Sequence, residues 1–300
     1  MARAGTLHGT LFAAIKTQMR QLIARGIGAV LPPHVIEALT VLQGGAVPWD
    51  EAAVQLEQLR SEVHSIGYPQ YLYGLLCAAR TARAIGANGF TAIEFGVAGG
   101  NGLIALEKHA IIVERLWNLS VAVVGFDTST GLPQPRDPRD CPFAFRGSEF
   151  TMDEGKLRAR LGRAQLRLGD VTDTVPSFMK DSFPPIGFVS HDLDLYTSTR
   201  DSFALLKSEP QHLLPRVTMY FDDLLGYPYT TVTGEWAAIN EFNASQTARQ
   251  IGQIFGLRQC LGHMYRFANW CELIFMLHVF DHPAYNAPEM TRMRSESLRL

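Results

Sequence analysis

The 300-residue sequence lacks three patterns that would narrow its class at once. Its four cysteines, Cys77, Cys141, Cys260 and Cys271, include no CxxC pair, so neither a structural zinc site nor a disulfide framework is predicted. No uninterrupted run reaches the ~18 apolar residues that a membrane-spanning helix needs. The formal net charge is only −2, which gives no reason to expect a nucleic-acid partner. We therefore expect reduced thiols, a cytoplasmic location and no integral membrane segment.

The N-terminal stretch is apolar at helical spacing, but charge interrupts it. Lys16, Gln18 and Arg20 break the continuous apolar core that a signal peptide requires. Such a helix typically packs on its own domain or on a second subunit, and the alternative is a basic amphipathic helix on a membrane surface. We predict an N-terminal helical extension over residues 1–66.

From about residue 67 onwards, short apolar segments alternate with helical patterns. Strands are predicted at 91–97, 121–127, 164–170, 184–194, 216–223 and 271–280. Helices are predicted at 71–85, 102–117, 151–161, 198–209 and 234–245, the third of them beginning with a capping box from Thr151 to Glu154. This alternation predicts an α/β fold with a doubly wound, mostly parallel sheet. The predicted domain covers 67–282, and a C-terminal tail covers 283–300.

Polar residues end several of the predicted strands. In parallel sheets, ligands bind at the carboxyl ends of the strands. Four strands end in glycine or aspartate, at Gly96, Asp127, Asp192 and Asp222. The sequence therefore predicts a site along this edge. The Pro/Arg-rich segment 133–150 is a candidate mobile lid.

A glycine-rich turn, "IEFGVAGGNG", follows the first predicted strand and opens a helix. Backbone N–H groups at such a turn can face a ligand. The GxGxxG fingerprint of dinucleotide sites is broken here, because Ala98 stands where its second glycine belongs. An acid before the turn suits the ammonium of S-adenosylmethionine better than the phosphates of NAD. The candidate cofactor residues on this turn are Glu94, Gly96, Val97, Gly100 and Asn101.

Two further positions complete the predicted cofactor site. Asp127 ends the second strand about thirty residues after the turn and can accept hydrogen bonds from both ribose hydroxyls. Thr128 follows it. The adenine is expected near "LGDV", which contains Asp170 and Val171.

An acidic cluster is predicted from "HDLDLY" and "FDD", each of which follows an apolar strand. If the strands are neighbours, Asp192, Asp194, Asp222 and Asp223 converge. Carboxylates so close repel one another unless a cation joins them, and an all-oxygen site suits Mg²⁺ or a similar divalent ion. Such an ion lowers the pKa of a substrate hydroxyl, and an acid off the metal can take the proton. The alternative is that these acids only cap the following helices.

His191 is a second candidate for the catalytic base. Neighbouring residues on a strand face opposite sides, so His191 and Asp192 are expected to point in opposite directions.

At these residues the chain resembles a known family. "IEFGVAGGNG", "GFDTSTGLP", "GDVTDTVP", "DLDLY" and "FDD" are similar to motifs of the macrocin and mycinamicin sugar O-methyltransferases, over roughly residues 68–243. The resemblance implies a class I, Rossmann-like methyltransferase fold, S-adenosylmethionine, and Mg²⁺ held by Asp192, Asp222 and Asp223. It also implies Asp194 as general base and a homodimer in which N-terminal helices take part.

The expected function is methylation of a hydroxyl on a sugar or glycosylated small molecule. The chain departs from the family in a longer, tyrosine-rich segment 224–236, which we expect to border the acceptor pocket. One alternative is an S-adenosylmethionine-binding relative with another, hydroxylase-like role. Another is a non-catalytic partner protein. The presence of all four acids favours the enzyme, and the broken glycine order disfavours an NAD oxidoreductase.

Overall fold

The structure, a computed structural model, describes residues 58–59, 61–260 and 268–287. The chain divides into two compact units, Met1–Glu62 with Gly256–Ala268, and Val63–Phe255 with Asn269–Leu300. Most of the predicted N-terminal extension and of the C-terminal tail lies outside the described residues. Their boundaries, and the homodimer, stay predictions.

One seven-stranded sheet forms the centre of the second unit. Its strands are β1 Gly89–Phe95, β2 Ser120–Asp127, β3 Gln165–Leu168, β4 Ile186–His191, β5 Leu213–Phe221, β6 Arg249–Gln253 and β7 Ile274–Val279. Their order across the sheet is β3-β2-β1-β4-β5-β7-β6. The first five strands run parallel, and β7 is antiparallel to β5 and β6. The predicted doubly wound, mostly parallel sheet is confirmed.

Helices in the described part of the chain accompany this sheet, and a short helix lies in the first unit. In the second unit they are α1 Pro69–Ala84, α2 Asn101–Trp117, α3 Glu154–Arg160, α4 Val171–Phe178, α5 Tyr196–Ser202 and α6 Gly234–Ser245, and in the first unit α7 Leu257–Cys260. Helices α1 and α2 contact each other and the sheet, while α5 contacts α4 and α6. Within the described residues, no helix is long and apolar enough to cross a membrane.

The core lies around the central strands β1 and β4, which are buried at every position. Strands covered on both faces carry continuous apolar runs rather than alternating ones. Phe90, Phe95, Phe126 and Phe188 are among the largest fully buried side chains. Each such ring stabilises the fold by roughly 1.5–3 kcal/mol. This core holds the carboxyl ends of neighbouring strands in register.

Strand β6 was not predicted from the sequence. Within "RQIGQ" the one buried apolar side chain is Ile251, so the alternation that signals a strand is missing. Pairing with β7 makes this segment a strand.

The predicted capping box at Thr151 is wrong. Helix α3 begins at Glu154, and the Asp153 carboxylate accepts the backbone N–H of Lys156 at 3.1 Å. Asp153 lies directly before the first helical residue and therefore caps the helix. The Glu154 side chain pairs instead with Arg158, one turn along the helix.

The predicted lid, residues 133–150, is fastened to the domain in its first half. The buried Asp140 carboxylate accepts backbone N–H groups from Arg136 at 2.8 Å and Asp137 at 3.0 Å. It also accepts the N–H and the hydroxyl of Thr197 at 2.8 and 3.0 Å. These bonds join the first half of the segment to α5, and backbone hydrogen bonds of Ser148 and Glu149 with Leu132, each of 2.8 Å, hold its end. The mobility of the segment stays a prediction.

Candidate functional site

The glycine-rich turn begins where β1 ends. Gly96 has a φ of +85°, and a Cβ there would collide with the backbone oxygen of Asp192. Its N–H donates to the carbonyl of Phe126 at 2.9 Å. Only glycine combines this left-handed conformation with so close an approach. The turn therefore lies directly against the end of β4.

Asp127 holds the turn from the end of β2. Its Oδ2 accepts the N–H groups of Val97 at 2.9 Å and Ala98 at 2.8 Å, and its Oδ1 accepts the N–H of Ser129 at 2.6 Å. Three backbone donors thus fix the orientation of this carboxylate. The bonds explain why an acid is needed at this position even before a ligand arrives.

A pocket of about 550 Å³ opens along this edge of the sheet. That volume lies within the range of small-molecule and cofactor sites. The predicted site residues that line it are Gly96, Asp127, Thr128, Asp170, Val171, Asp192, Asp194, Asp222 and Asp223. The carboxyl ends of five strands therefore meet at one cavity, as predicted for a parallel sheet.

The remaining predicted residues do not line this pocket in the structure. A Cβ on Gly100 would collide with Leu157 of α3, so this glycine allows helix packing. The Asn101 side chain accepts a hydrogen bond from Arg160 at 2.8 Å. Val97 is buried, with its N–H on Asp127.

Glu94 is buried beneath the first turn of α2. Its Oε1 accepts the Tyr71 hydroxyl at 2.6 Å, and Tyr71 in turn accepts the Ser190 hydroxyl at 3.1 Å. Its Oε2 has no hydrogen-bond partner among the described residues. Burial raises the pKa of Glu94 to about 8; the hydrogen bond from Tyr71 opposes this rise, and Asp127 adds to it. A cation near the free oxygen would favour the charged form.

The acidic cluster forms because β4 and β5 are parallel neighbours. The N–H of Asp192 donates to the carbonyl of Phe95, and that of Asp222 to the carbonyl of His191, each at 3.0 Å. One carboxylate oxygen each from Asp192, Asp222 and Asp223 lies within 4.8 Å of the others. This is a donor set of hard oxygen ligands, which suits Mg²⁺ or a similar divalent ion.

Asp194 faces the same cluster from the loop before α5. It has a left-handed φ of 57°, which aspartate tolerates better than most residues. Its N–H donates to Oδ2 of Asp223 at 2.9 Å. The Tyr229 hydroxyl lies 2.7 Å from Oδ1 of Asp194 and 2.8 Å from Oδ1 of Asp223. Backbone and side-chain contacts therefore join the candidate base to a candidate metal ligand.

Burial, together with neighbouring negative charge, raises the pKa values of Asp192, Asp194 and Asp223. The Asp192 carboxylate faces the pocket, but protein atoms surround most of it. Burial is the main cause that raises its pKa to about 9, and the negative charge of Asp223 is the second. Burial and the charge of Asp194 raise the pKa of Asp223 to about 7. Burial also raises the pKa of Asp194. A cation would relieve this repulsion, so the residues fit the predicted ion.

The helix-cap alternative for these acids is not supported. The N-cap positions of α5 and α6 are Leu195 and Thr233, and neither helix has a side-chain cap hydrogen bond.

The structure places His191 inside the core. Its ring stacks on Phe95 and Phe221 at centroid distances of 5.3 and 4.7 Å and meets Phe203 edge-on. Neither ring nitrogen has a hydrogen-bond partner among the described residues, and burial lowers the pKa to about 3. Because the ring does not reach the pocket, this geometry does not support a catalytic role for His191.

We predict that His191→Phe leaves the function of the pocket intact and gains acid stability. Burial favours the neutral ring of His191 in the folded state. The contribution of this ring to the free energy of unfolding is therefore complete above about pH 6.5, the pKa of the unfolded chain, and is lost as the pH falls towards 3. Between pH 7.5 and pH 5, the free energy of unfolding of the wild type should fall by about 2 kcal/mol relative to that of the variant. Urea unfolding at both pH values measures this difference. An activity loss of 10²-fold or more in the variant would contradict the packing role.

Three tyrosines belong to the site but were not assigned from the sequence. Tyr71 reaches Glu94 from α1, and Tyr229 reaches the acids from the tyrosine-rich segment. The Tyr220 hydroxyl donates to Asp222 from two residues away. Tyr229 lies in the tyrosine-rich segment that was expected to border the acceptor pocket, and Tyr220 had a local signal, its position within "MYFDD".

No protein-family model matches the chain, and no curated protein matches its sequence. Among solved structures, it is similar to the O-methyltransferase NovP, with 20% identity over 63% of this chain and 76% of that one and a TM-score of 0.48. The calicheamicin methyltransferase CalS11 is 22% identical over 74% of this chain and 87% of that one, with a TM-score of 0.45. The O-methyltransferase TomG from Streptomyces achromogenes is 14% identical over 70% and 79%, with a TM-score of 0.40.

The chain has the class I, Rossmann-like methyltransferase fold. That conclusion rests on the strand order, with five parallel strands and an antiparallel β7 inserted between β5 and β6. At these identities and TM-scores, the neighbours add no argument about the reaction.

Proposed function

We propose that the protein is an S-adenosylmethionine-dependent O-methyltransferase, assisted by a divalent cation, that acts on a hydroxyl of a sugar or glycosylated small molecule. The observation that carries the proposal is the meeting of the Asp127-held glycine turn and four clustered aspartates at one pocket. NovP, CalS11 and TomG, as described above, are methyltransferases by name.

The cofactor end of the pocket is assigned to the turn and the ends of β2 and β3. Asp127 would accept ribose hydroxyls, and Asp170 with Val171 would flank the adenine. Glu94 is buried and does not line the pocket, so it would favour the ammonium group through its negative charge and not through direct contact. When bound, S-adenosylmethionine supplies an activated methyl group.

The acceptor end is assigned to the acidic cluster. Asp192, Asp222 and Asp223 would hold the cation, whose chemistry is to lower the pKa of a bound hydroxyl. Asp194 would take the hydroxyl proton as general base. The pocket would hold the donor and acceptor in line at about 3 Å, and such positioning is worth several kcal/mol.

The proposal is tested by calorimetry and by transfer of a labelled methyl group to glycosides. S-adenosylmethionine should bind and NAD should not. Asp127→Ala should weaken binding of the methyl donor by roughly 1–3 kcal/mol, the usual cost of hydrogen bonds lost to a polar ligand.

Two variants separate ligand contact from support of the turn. Asp127→Asn can still accept the N–H groups of Val97 and Ala98 through its one amide oxygen but loses the bond from Ser129, so it should keep the glycine turn and lose part of the affinity. Asp181→Ala removes an exposed carboxylate paired with Arg167 outside the pocket and should change nothing. Tight NAD binding without binding of the methyl donor would refute the proposal.

A further inference from the structure

The Tyr229 hydroxyl occupies a position with the surroundings that an acceptor hydroxyl requires. It lies 2.7 Å from Asp194, the proposed base, and 2.8 Å from Asp223, a proposed metal ligand. A phenol carries one proton, so it can donate to only one of these carboxylates at a time. An acceptor hydroxyl must likewise lie beside the base and beside the ion that Asp223 helps to hold.

The Tyr229 ring is packed, but it is carried by a surface segment. It stacks on Phe145 of the predicted lid at 6.0 Å between centroids, with 27° between the planes. On another side, a Cβ added to Gly234 would lie 3.2 Å from the ring. Neighbours of Tyr229 along the segment are exposed, among them Tyr227 at 86% and Val232 at 68%. The ring can therefore leave its position without opening the core.

We propose that Tyr229 determines acceptor specificity because its phenol occupies the position of the acceptor hydroxyl. An acceptor must displace this phenol from Asp194 and Asp223 and replace its stacking on Phe145. A water molecule could replace the phenol hydroxyl at the two aspartates, but it could not replace the ring that stacks on Phe145. The Tyr229 side chain therefore excludes water from the methyl donor. This inference rests on the function proposed above.

The first test compares Tyr229→Phe with Tyr227→Phe. The two variants remove a phenol oxygen from the same segment, but only Tyr229 contacts the acids. Methyl and phenyl glycosides serve as acceptors, and KM and kcat are measured for each. Tyr229→Phe should lower the acceptor KM by about tenfold or more, the worth of a hydrogen bond to a charged group. Its kcat and its KM for S-adenosylmethionine should stay within about twofold.

Tyr227→Phe should match the wild type in all these quantities. A Tyr229→Phe variant with unchanged acceptor KM and lower kcat would overturn the proposal, because Tyr229 would then support the reaction rather than compete with the acceptor.

The second test uses Tyr229→Ala and p-cresol, which has the shape of the deleted side chain. With the loaded variant, p-cresol should bind in the vacated position and be methylated. The S–CH₃ bond breaks, the phenol O–CH₃ bond forms, and the phenol proton passes to Asp194. Mass spectrometry should detect the methyl ether with Tyr229→Ala and not with the wild type. Adding Asp194→Asn to the variant should abolish the product.

The outcomes separate this inference from the proposed function. The wild type could methylate glycosides while Tyr229→Ala forms no p-cresol ether. That result would overturn the inference about Tyr229 but would support the proposed function. Methylated p-cresol without any glycoside product would support Tyr229 and refute the sugar acceptor. A folded protein that does not bind S-adenosylmethionine would refute both.

Discussion

Asp194→Asn is expected to lower kcat by about 10²–10⁴-fold, the usual worth of a general base, while Mg²⁺ still binds. Asparagine keeps the size of the side chain and an oxygen that can accept the Tyr229 hydroxyl, but it cannot take the acceptor proton. The backbone N–H of residue 194 can still donate to Asp223, so the cluster should keep its arrangement. Turnover measured beside a magnesium titration by calorimetry gives both quantities.

A matched control for Asp194→Asn is Asp201→Asn. Asp201 also lines the pocket, but its carboxylate pairs with Arg200 at 2.7 Å. This variant should retain most of its turnover, because its carboxylate contacts neither the base nor the proposed ion. Near-normal turnover of Asp194→Asn would contradict its role as base.

Asp222→Asn is expected to lower magnesium affinity and turnover together. It removes one negative charge from three carboxylates whose oxygens lie within 4.8 Å of each other. The loss in affinity should reach or exceed the roughly 10–100-fold seen when residues that only support metal ligands are replaced. Calorimetric titration with MgCl₂ and turnover at increasing MgCl₂ measure the two effects.

High magnesium distinguishes the two variants. It should partly restore Asp222→Asn, whose defect is weak binding, and should not restore Asp194→Asn, whose defect is proton transfer. Chelation of the wild type should reproduce the Asp222→Asn loss. Full activity in excess chelator would show that the acids serve a different purpose.

The sequence alone predicted the sheet and the edge that carries the site. Apolar segments alternating with helical patterns specify a parallel sheet, and the residues that follow such strands meet at one edge. Gly96, Asp127, Asp192 and Asp222 could therefore be placed together without coordinates, and the structure brings all four to one pocket. Strand β6 was missed because its pairing, not its composition, makes it a strand.

Only the tertiary structure decided which side chains face the pocket and what they contact. Alternation along the strand predicted that His191 and Asp192 point in opposite directions, but only the structure shows that the ring stacks between Phe95 and Phe221 while the carboxylate opens to the cavity. Gly100 allows Leu157 to pack rather than a ligand to approach. Such outcomes depend on the volumes of neighbouring elements, which local periodicity does not encode.

The contacts of the tyrosines also could not be predicted from local sequence, because they join residues far apart along the chain. Tyr71 meets Glu94 across 23 residues, and Tyr229 meets Asp194 across 35. The apolar pattern predicted six of the seven strands of the described sheet, and the parallel arrangement determined where the ends of the first five lie. The tyrosine hydroxyls that bond to the acids at these strand ends come from distant segments. Packing of the whole domain sets the positions of those segments, so only the folded structure shows these hydrogen bonds.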